Sequence, residues 1–408
     1  MTKKTYIYIG GGAAGYFTAI NAAEKHPSVD HILLEGTHRP MTKIKISGGG
    51  RCNVTHHCFD IKELVKNYPR GSKELLGAFT RFQPRDTIEW FEKRGVSLKV
   101  EDDGRMFPIT DKSESIISCF ENEIKRLNVD VRKGCLVKSI QKTEAGFSIH
   151  LQSQETLHAD KIVLATGSFP SSYELVKSLG HSIVPPVPSL FTFNAKHALL
   201  EEMMGTSFKK VTIRLNIPHE KKSWSQIGPL LITHWGLSGP AVLKLSAFAA
   251  RELHSSNYKG LVKINWTGSL SFDAVLEDLV SIKTHDMQKI LCKMPLYDLS
   301  KKFWQKLTEE ALGKRCELSF NELSKKDLSQ LANLLTASEI SIDGKGVFKE
   351  EFVTCGGVHL KEVDFKTMES KLVPGLYFTG ELLDIDGITG GFNFQNAWTT
   401  AWITSQNL

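Results

Sequence analysis

Short apolar runs and helical apolar spacings alternate from the first residues onward. Thr5–Ile9, rich in β-branched and aromatic residues, predicts a strand, and from Ala13 the positions Phe17, Ile20 and Ala23 fall on one helical face. A second apolar run, Ile32-Leu33-Leu34, ends on Glu35. Lys161–Leu164 predicts another strand, running into Ala165-Thr166-Gly167, and Leu376–Phe378 a short buried one ended by Gly380-Glu381. Gly390-Gly391 then precede a helix from about Asn393 through Trp398 to Trp402. Between Leu190 and about Lys345 the period changes. L-F-T-F-N-A, V-T-I-R-L-N-I and L-V-K-I-N-W alternate as strands do, whereas F-D-A-V-L-E-D-L-V, S-K-K-F-W-Q-K-L-T-E-E-A-L and K-K-D-L-S-Q-L-A-N-L-L carry helical apolar faces. The prolines of Val184–Leu190 favour an extended crossing at the entry to this region. The pattern therefore predicts one discontinuous α/β domain, residues 1–190 with 345–408, and an insert over 191–344 that is β-rich to 270 and helical from 271.

The turn after the first strand reads G-x-G-x-x-G. Gly10 allows the sharp turn, Gly12 lets backbone approach a pyrophosphate, Gly15 lets the helix pack on the strand, and the helix start offers its amides, those of Ala13 and Ala14 included. Strand, turn, helix, strand and a terminal acid are all present, so the match reads as a dinucleotide site with Glu35 on the adenosine ribose. That carboxylate disfavours a 2′-phosphate, which leaves FAD or NAD. The return of the last residues to this unit resembles the C-terminal FAD signature of two-motif flavoproteins, which favours FAD. In such proteins the helix that here begins after Gly391 points its N-terminus at the flavin pyrimidine, where it stabilises negative charge. Ser47-Gly48-Gly49-Gly50-Arg51-Cys52-Asn53 is placed similarly to the loop that such flavoproteins bring over the cofactor: three glycines admit backbone where any Cβ would collide, Arg51 brings charge, and Asn53 an amide pair able to match the flavin edge.

Composition narrows the class. The 408 residues are 41% hydrophobic and 24% charged, in the globular range, with a formal charge of +6 and lysines that are scattered along the chain. Nucleic acid is not expected from this balance; the lysines of the helical segments have acids nearby, as a solvated surface does. Seven cysteines without a C-x-x-C pair argue against a disulfide framework and a zinc site, and no metal is expected. No apolar stretch is long enough to span a membrane, which points to a cytoplasmic protein. Cys52 reads as a small buried neighbour of the flavin rather than a redox thiol, and Trp398 and Trp402 as core.

Together G-G-G-A-A-G, K-I-S-G-G-G-R-C-N-V-T, D-D-G-R-M-F-P (Asp102–Pro108), A-T-G, L-G-H-S-I-V-P-P-V-P-S-L, T-H-W-G-L-S-G-P-A-V-L-K-L-S, T-C-G-G-V and G-E-L-L-D-I-D-G-I-T-G-G-F-N-F-Q-N-A-W resemble, nearly end to end, the YhiN/BaiN-like family of bacterial FAD-dependent oxidoreductases. The resemblance implies a two-part Rossmann-like domain with noncovalent FAD and an inserted β-rich and helical region. It also implies a cofactor contact set that adds Lys43, Val137, Glu381, Asp384, Phe392 and Asn393 to the residues above. Met41-Thr42-Lys43 departs from the Gly-Arg-Lys triplet usual there. On the substrate side stand Arg105, in a loop that reads equally as a plain hairpin, and Ser238 and Gly239 at a helix start. His234 is the candidate catalytic acid, with a packed turn histidine as the alternative.

The activity expected is hydride transfer between a small organic substrate and flavin N5. NAD(P)H would be the reductant and would dock without a nucleotide domain of its own, since no second G-x-G-x-x-G occurs in mid-sequence. Oxidation of an amine or similar small molecule by O₂ is the alternative chemistry. A plain NAD dehydrogenase and an RNA-associated flavoprotein are the alternatives of other kinds.

Overall fold

The computed structural model describes residues 3–346 and 353–408. It divides into two compact units, Met1–Val187 with Val353–Leu408, and Pro188–Phe352.

The first unit is built on a seven-stranded sheet. Its parallel part places, side by side, Leu376–Phe378, Lys161–Leu164, β1 (Thr5–Ile9), β2 (Asp30–Glu35) and Asp130–Lys133; two short antiparallel strands, Glu369–Ser370 and Val363–Asp364, extend one edge. β1 is the central parallel strand, and its residues from Tyr6 on are buried, as expected of a strand covered on both faces. Helix α1 (Ala13–Lys25) and the last helix, Phe392–Asn407, pack together, and their aromatic and small residues share one core with Phe91, Phe120 and Trp398. Trp398 is fully buried and donates its indole N–H to the Val54 carbonyl at 2.9 Å, so it is core; Trp402 stacks on Phe82. Two three-stranded antiparallel sheets are added. One pairs Thr55–His56 and Leu98–Val100 with Arg105–Pro108; the other comprises Val137–Thr143, Gly146–Leu151 and Thr156–Ala159. Asp102–Pro108 thus belongs to a hairpin.

The second unit is a closed six-stranded barrel in the order Phe193–Ala195, Gly236–Ser238, Ser223–Thr233, Ser207–Asn216, Lys259–Asn265 and Ser338–Lys345, followed around to the first. Helices Pro240–Phe248 and Ala250–Ser255 lie between its strands, and three longer ones, Phe272–His285, Lys301–Leu312 and Lys325–Ala337, precede the closing strand. The side chains of Ser271, Ser300 and Ser324 cap these three by accepting a backbone N–H in the first turn. The expectation of helix through residue 344 is corrected here: Ser338–Lys345 is the strand that closes the barrel. Its buried positions Ser338, Ile340 and Ile342 alternate with exposed Glu339, Ser341 and Asp343, a period of two that follows the preceding helix without a break.

Candidate functional site

The parallel strands β1, Lys161–Leu164 and Leu376–Phe378 end together, and the loops after them meet. Gly10 has φ +113°, and a Cβ there would sit 2.5 Å from the Ala165 carbonyl oxygen; one on Gly15 would sit 1.9 Å from the Gly10 carbonyl oxygen. Both contacts require glycine: the first brings the turn against the Ala165-Thr166-Gly167 turn, and the second packs the start of α1 on the turn itself. Gly12 is different. A Cβ there meets nothing within 4 Å, so the space beside the start of α1 is open. Gly12 caps α1 with no side-chain bond, and the first amides, those of Ala13, Ala14 and Gly15, have no intrahelical partner.

Glu35, at the end of β2, accepts the Gly11 N–H at 2.8 Å through Oε2 and the Thr37 N–H at 2.7 Å through Oε1. Its carboxylate is therefore fixed beside the glycine turn. Val137 begins the second small sheet; its neighbour Leu136 packs on Gly36, one residue past Glu35.

At the other end of the cradle Gly380 follows Phe378 with φ +68°, its N–H bonded to Thr400 Oγ1 at 2.9 Å and its Cα face against Ala14. Glu381 next to it accepts the Thr354 N–H at 3.2 Å and forms an ion pair with Lys43, whose ammonium also donates to Ser168 Oγ at 3.3 Å. Gly167 lies 3.6 Å from Glu381 Oε2, measured from where its Cβ would be. Lys43, Gly167 and Glu381, distant in sequence, are thus one cluster. Asp384 lies close by and is buried.

The run of glycines is the most unusual backbone of the unit. Thr42–Gly50 is helical at its start and breaks at Ser47-Gly48-Gly49, with Gly48, Gly49 and Gly50 at φ +58°, +69° and +86°. Three consecutive left-handed residues are accessible only to glycine at small cost, which accounts for the G-G-G. A Cβ on Gly48 would strike the Phe107 ring at 2.8 Å, but one on Gly49 meets nothing within 4 Å.

The polar side chains of this loop all have partners within the protein. Arg51 was expected to bring charge to a ligand. It is bound to Glu101 at 2.5 Å and to Asp111 at 3.5 Å and lies over the Phe107 ring at 4.0 Å, so its charge is matched by two carboxylates. Arg105 shares that network through Glu101 at 2.9 Å and Asp103 at 2.7 Å. Asn53 was expected to present its amide to the flavin. With the amide oriented to suit its neighbours, it accepts the Gly391 N–H at 2.9 Å and donates to the Thr55 and Met106 carbonyls, which ties the loop to the start of the last helix. Asn393 is likewise engaged, bonded both ways to the Gly387 backbone at 2.8 and 2.9 Å. These three side chains hold the protein together, because loop and helix need mutual anchors where the backbone is unusual. Cys52 is fully buried with its thiol pushed up to about 12 by burial, which removes a thiolate at neutral pH.

Two residues not anticipated from the sequence lie at this end of the unit. His56 bonds the Gly390 carbonyl through Nδ1 at 2.9 Å and stacks on Phe392 at 4.5 Å; the His56-His57 doublet directly after the glycine loop was its only signal. Tyr173, in the helix after Ala165-Thr166-Gly167, has a buried hydroxyl without a hydrogen-bond partner among the described residues. Burial, with Glu381 and Asp384 adding to it, pushes that phenol up to about 12. Thr166 Oγ1, Thr379 Oγ1 and Asn396 Oδ1 are buried and unpaired in the same way. Unpaired buried polar atoms are costly, and four of them around an open glycine cradle are what a polar ligand would satisfy.

The remaining substrate-side candidates lie in the second unit. His234 and Trp235 form the exposed tip of the hairpin between Ser223–Thr233 and Gly236–Ser238, with their rings edge to face at 5.0 Å. Among the described residues none hydrogen-bonds the His234 imidazole. Ser238 is the last residue of its strand, and Gly239, at φ +94°, caps the helix Pro240–Phe248 with Pro240 as its first residue.

The chain matches the description "HI0933-like protein Rossmann domain" over residues 4–407. It belongs to the HI0933-like family. Among curated proteins it is 30% identical to the ribosomal RNA dihydrouridine synthase of Escherichia coli, covering 100% of this chain and 98% of that one. It is 28% identical to the 3-dehydro-bile acid delta(4,6)-reductase of Clostridium scindens, over 98% of this chain and 97% of that one. The same identity holds with the ribosomal RNA dihydrouridine synthase of Haemophilus influenzae, over 97% and 96%. Among solved structures, a flavocytochrome c3 fumarate reductase aligns with TM-score 0.51 at 14% identity, covering 99% of this chain and 78% of that one. The 3-ketosteroid-delta4-(5alpha)-dehydrogenase of Rhodococcus jostii aligns with TM-score 0.50 at 13% identity, over 100% and 98%. At these identities the structures show the fold alone. This HI0933-like protein is of the YhiN/BaiN type, an FAD-dependent oxidoreductase. No helix among the described residues is long and apolar enough to cross a membrane.

Proposed function

We propose that this protein is an FAD-dependent reductase that adds two hydrogens across a carbon–carbon double bond conjugated to a carbonyl, with NAD(P)H as the reductant. One observation carries the reading: relatives matched over essentially their whole length carry two names, dihydrouridine synthase and bile acid delta(4,6)-reductase, and both describe that chemistry on unrelated molecules. The uracil ring of RNA is the favoured substrate, because the relative at 30% identity is named for it.

The cradle described above suits FAD. Glu35 takes the adenosine ribose, the start of α1 with Gly12 the pyrophosphate, Glu381 and Lys43 the ribitol side, and the open face above Gly49 and Gly50 the ring system. Tyr173, Thr166, Thr379 and Asn396 supply the unpaired donors and acceptors. When bound, FAD supplies hydride transfer at N5. The chain's own part is to bind, orient and stabilise: the amides of Phe392, Asn393 and Phe394, free at the start of the last helix, present a positive end to the charge that reduction develops. In the net reaction a hydride from NAD(P)H reaches the β-carbon of the conjugated system, a proton reaches the α-carbon, and NAD(P)⁺ leaves. A proton donor in contact with substrate completes this, for which His234 and His56 are the candidates.

The test is the visible spectrum of the purified protein, followed anaerobically as NADH and then NADPH is added. Flavin bands that bleach with one nucleotide and return on adding ribosomal RNA from a strain lacking this protein, with uridine gaining two mass units, are expected. Bands untouched by either nucleotide, yet bleached by an amine substrate and restored by O₂, would overturn the reading in favour of an oxidase.

A further inference from the structure

The barrel of the second unit carries the protein's charge unevenly. Between residues 188 and 270 there are ten lysines and arginines against four acids, a surplus equal to the formal charge of the whole chain. The four acids, Glu201, Glu202, Glu220 and Glu252, all lie outside the barrel strands of this stretch.

The strands show where the surplus goes. On one side of the barrel, lysines of Lys259–Asn265 meet carboxylates of the neighbouring Ser338–Lys345: Lys263 bonds Glu339 at 2.6 Å and Lys259 lies 3.9 Å from Asp343. The helical lysines and arginines behave similarly, as in Arg315 with Asp327 at 2.7 Å and Lys289 with Asp286 at 2.8 Å. The pair of strands Ser207–Asn216 and Ser223–Thr233 is different. Its core positions Phe208, Val211, Ile213 and Leu215 point inward, and Lys209, Lys210 and Arg214 are exposed. The register shifts between Phe208 and Val211, a bulge that leaves both Lys209 and Lys210 exposed. Across from them the exposed positions of the partner strand are Ser223, Ser225, Ile227 and Pro229, with Ser225 opposite Arg214 and Ile227 opposite Thr212. Lys221 and Lys222 follow in the connecting hairpin. Among the described residues none of these five cations pairs with a carboxylate, and no acid lies on either strand.

Unpaired like charges along a strand repel one another, so the face pays in self-repulsion unless a polyanion covers it. Hydroxyls and cations on a twisted two-stranded ribbon, with exposed Ile227 and Pro229 among them, are the groups that hold a phosphate backbone and touch a base. Building on the proposed RNA substrate, we infer that this outer face of the barrel, Lys209, Lys210 and Arg214 with Ser225, Ile227 and the Lys221-Lys222 hairpin, is the docking surface for the RNA strand. The flavin unit does the chemistry, and the barrel supplies sequence-independent grip on the backbone.

The experiment uses the FAD-loaded full chain and a fluorescein-labelled oligouridylate, with purified ribosomal RNA as competitor. Fluorescence anisotropy over a series of salt concentrations compares the wild type with Lys209→Ala/Lys210→Ala/Arg214→Ala, with Lys221→Ala/Lys222→Ala as a second variant. Lys314→Ala/Lys325→Ala/Lys326→Ala, on the helices, is a control of equal charge loss. The expected result is an affinity at least about tenfold lower for the barrel triple, with a salt slope smaller by about two to three. The helix control stays close to wild type, and bleaching of the flavin by NAD(P)H is unchanged in all. A wild type that binds RNA with strong salt dependence while both barrel variants match it would overturn the docking face and leave the reductase reading standing. A wild type with no salt-sensitive RNA binding would overturn both the RNA substrate and the face.

Discussion

The glycine loop offers a way to separate what the fold requires from what the ligand requires. Gly48 and Gly49 are adjacent and both left-handed, at φ +58° and +69°, yet their surroundings differ. Placing alanine in that backbone region costs about 1–2 kcal/mol, offset in part by roughly 0.5–1 kcal/mol from the stiffer unfolded chain, so Gly49→Ala should lower the stability of the FAD-free protein by about 1 kcal/mol. Gly48→Ala carries the same backbone term and adds a Cβ 2.8 Å from the Phe107 ring. Phe107 is fully buried beneath the Arg51 guanidinium and has no room to yield, so overpacking adds roughly 1–3 kcal/mol. Unfolding of the FAD-free proteins in urea should therefore rank Gly48→Ala well below Gly49→Ala. FAD affinity, followed by quenching of flavin fluorescence, should not follow that order. Nothing in the protein occupies the space a Gly49 methyl would enter, so if the loop lies against the cofactor the methyl meets FAD. Affinity should then fall by tenfold or more, equivalent to about 1.4 kcal/mol. Wild-type FAD affinity in Gly49→Ala, alongside the predicted loss of stability, would refute the placement of the cofactor over this loop.

Three further outcomes follow from the same unit. Asp386 is fully buried and bonded twice by Arg70, at 2.6 Å through Nε and by a second bond through Nη2, where the 66–71 segment grips the approach to the last helix; Asp386→Ala should cost about 3–5 kcal/mol in urea unfolding, whereas Arg70→Met/Asp386→Leu should recover much of it, and a loss below about 1 kcal/mol for the single variant would contradict a desolvated pair. His181 is buried between Glu362 at 3.0 Å and Ser370 at 2.8 Å, and burial lowers its pKa, so the unfolded chain takes up its proton first. Its stabilising effect is complete above about pH 6.5 and is lost as the pH falls below that; His181→Gln should flatten the melting temperature between pH 7 and 5, and an acid limb parallel to that of the wild type would rule this out. Cys52→Ala should retain NAD(P)H-dependent flavin reduction, and Cys52 should resist alkylation at pH 8 until the protein is unfolded; prompt labelling of the folded protein would show a thiol far more accessible than its burial indicates.

Much of the nucleotide unit could be read from the chain because its elements are set by local signals. β1, α1, Leu376–Phe378 and the last helix follow runs of apolar residues bounded by glycines, and those glycines are demanded by backbone contacts such as that of Gly10 with Ala165. The closing barrel strand was not legible, because Ser338 follows the helix Lys325–Ala337 with no glycine or proline between them. A helical apolar spacing passes straight into alternation there, and only the edges left open by Phe193–Ala195 and Lys259–Asn265 decide which state the chain adopts. The basic barrel face was hidden for a related reason. Lysine scatter in sequence carries no information about pairing, and Lys263 and Lys210 look alike until the register places Glu339 beside one and no acid beside the other.

The polar side chains of the flavin end show where such reading stops. Arg51, Asn53 and Asn393 have the groups a flavin would accept, and all three are committed to Glu101, Gly391 and Gly387. Glycine is informative because it marks space that something else must fill, whereas an amide or guanidinium serves protein and ligand equally well, and long-range packing chooses between them. With these side chains committed, the proposed stabilisation of reduced flavin rests on the main-chain amides at the start of the last helix, which Asn53 and Asn393 help hold in place. Amides do not titrate and cost nothing to reorganise as charge develops, so a site built this way acts equally on any substrate that accepts hydride and leaves substrate choice to the residues that grip the rest of the molecule.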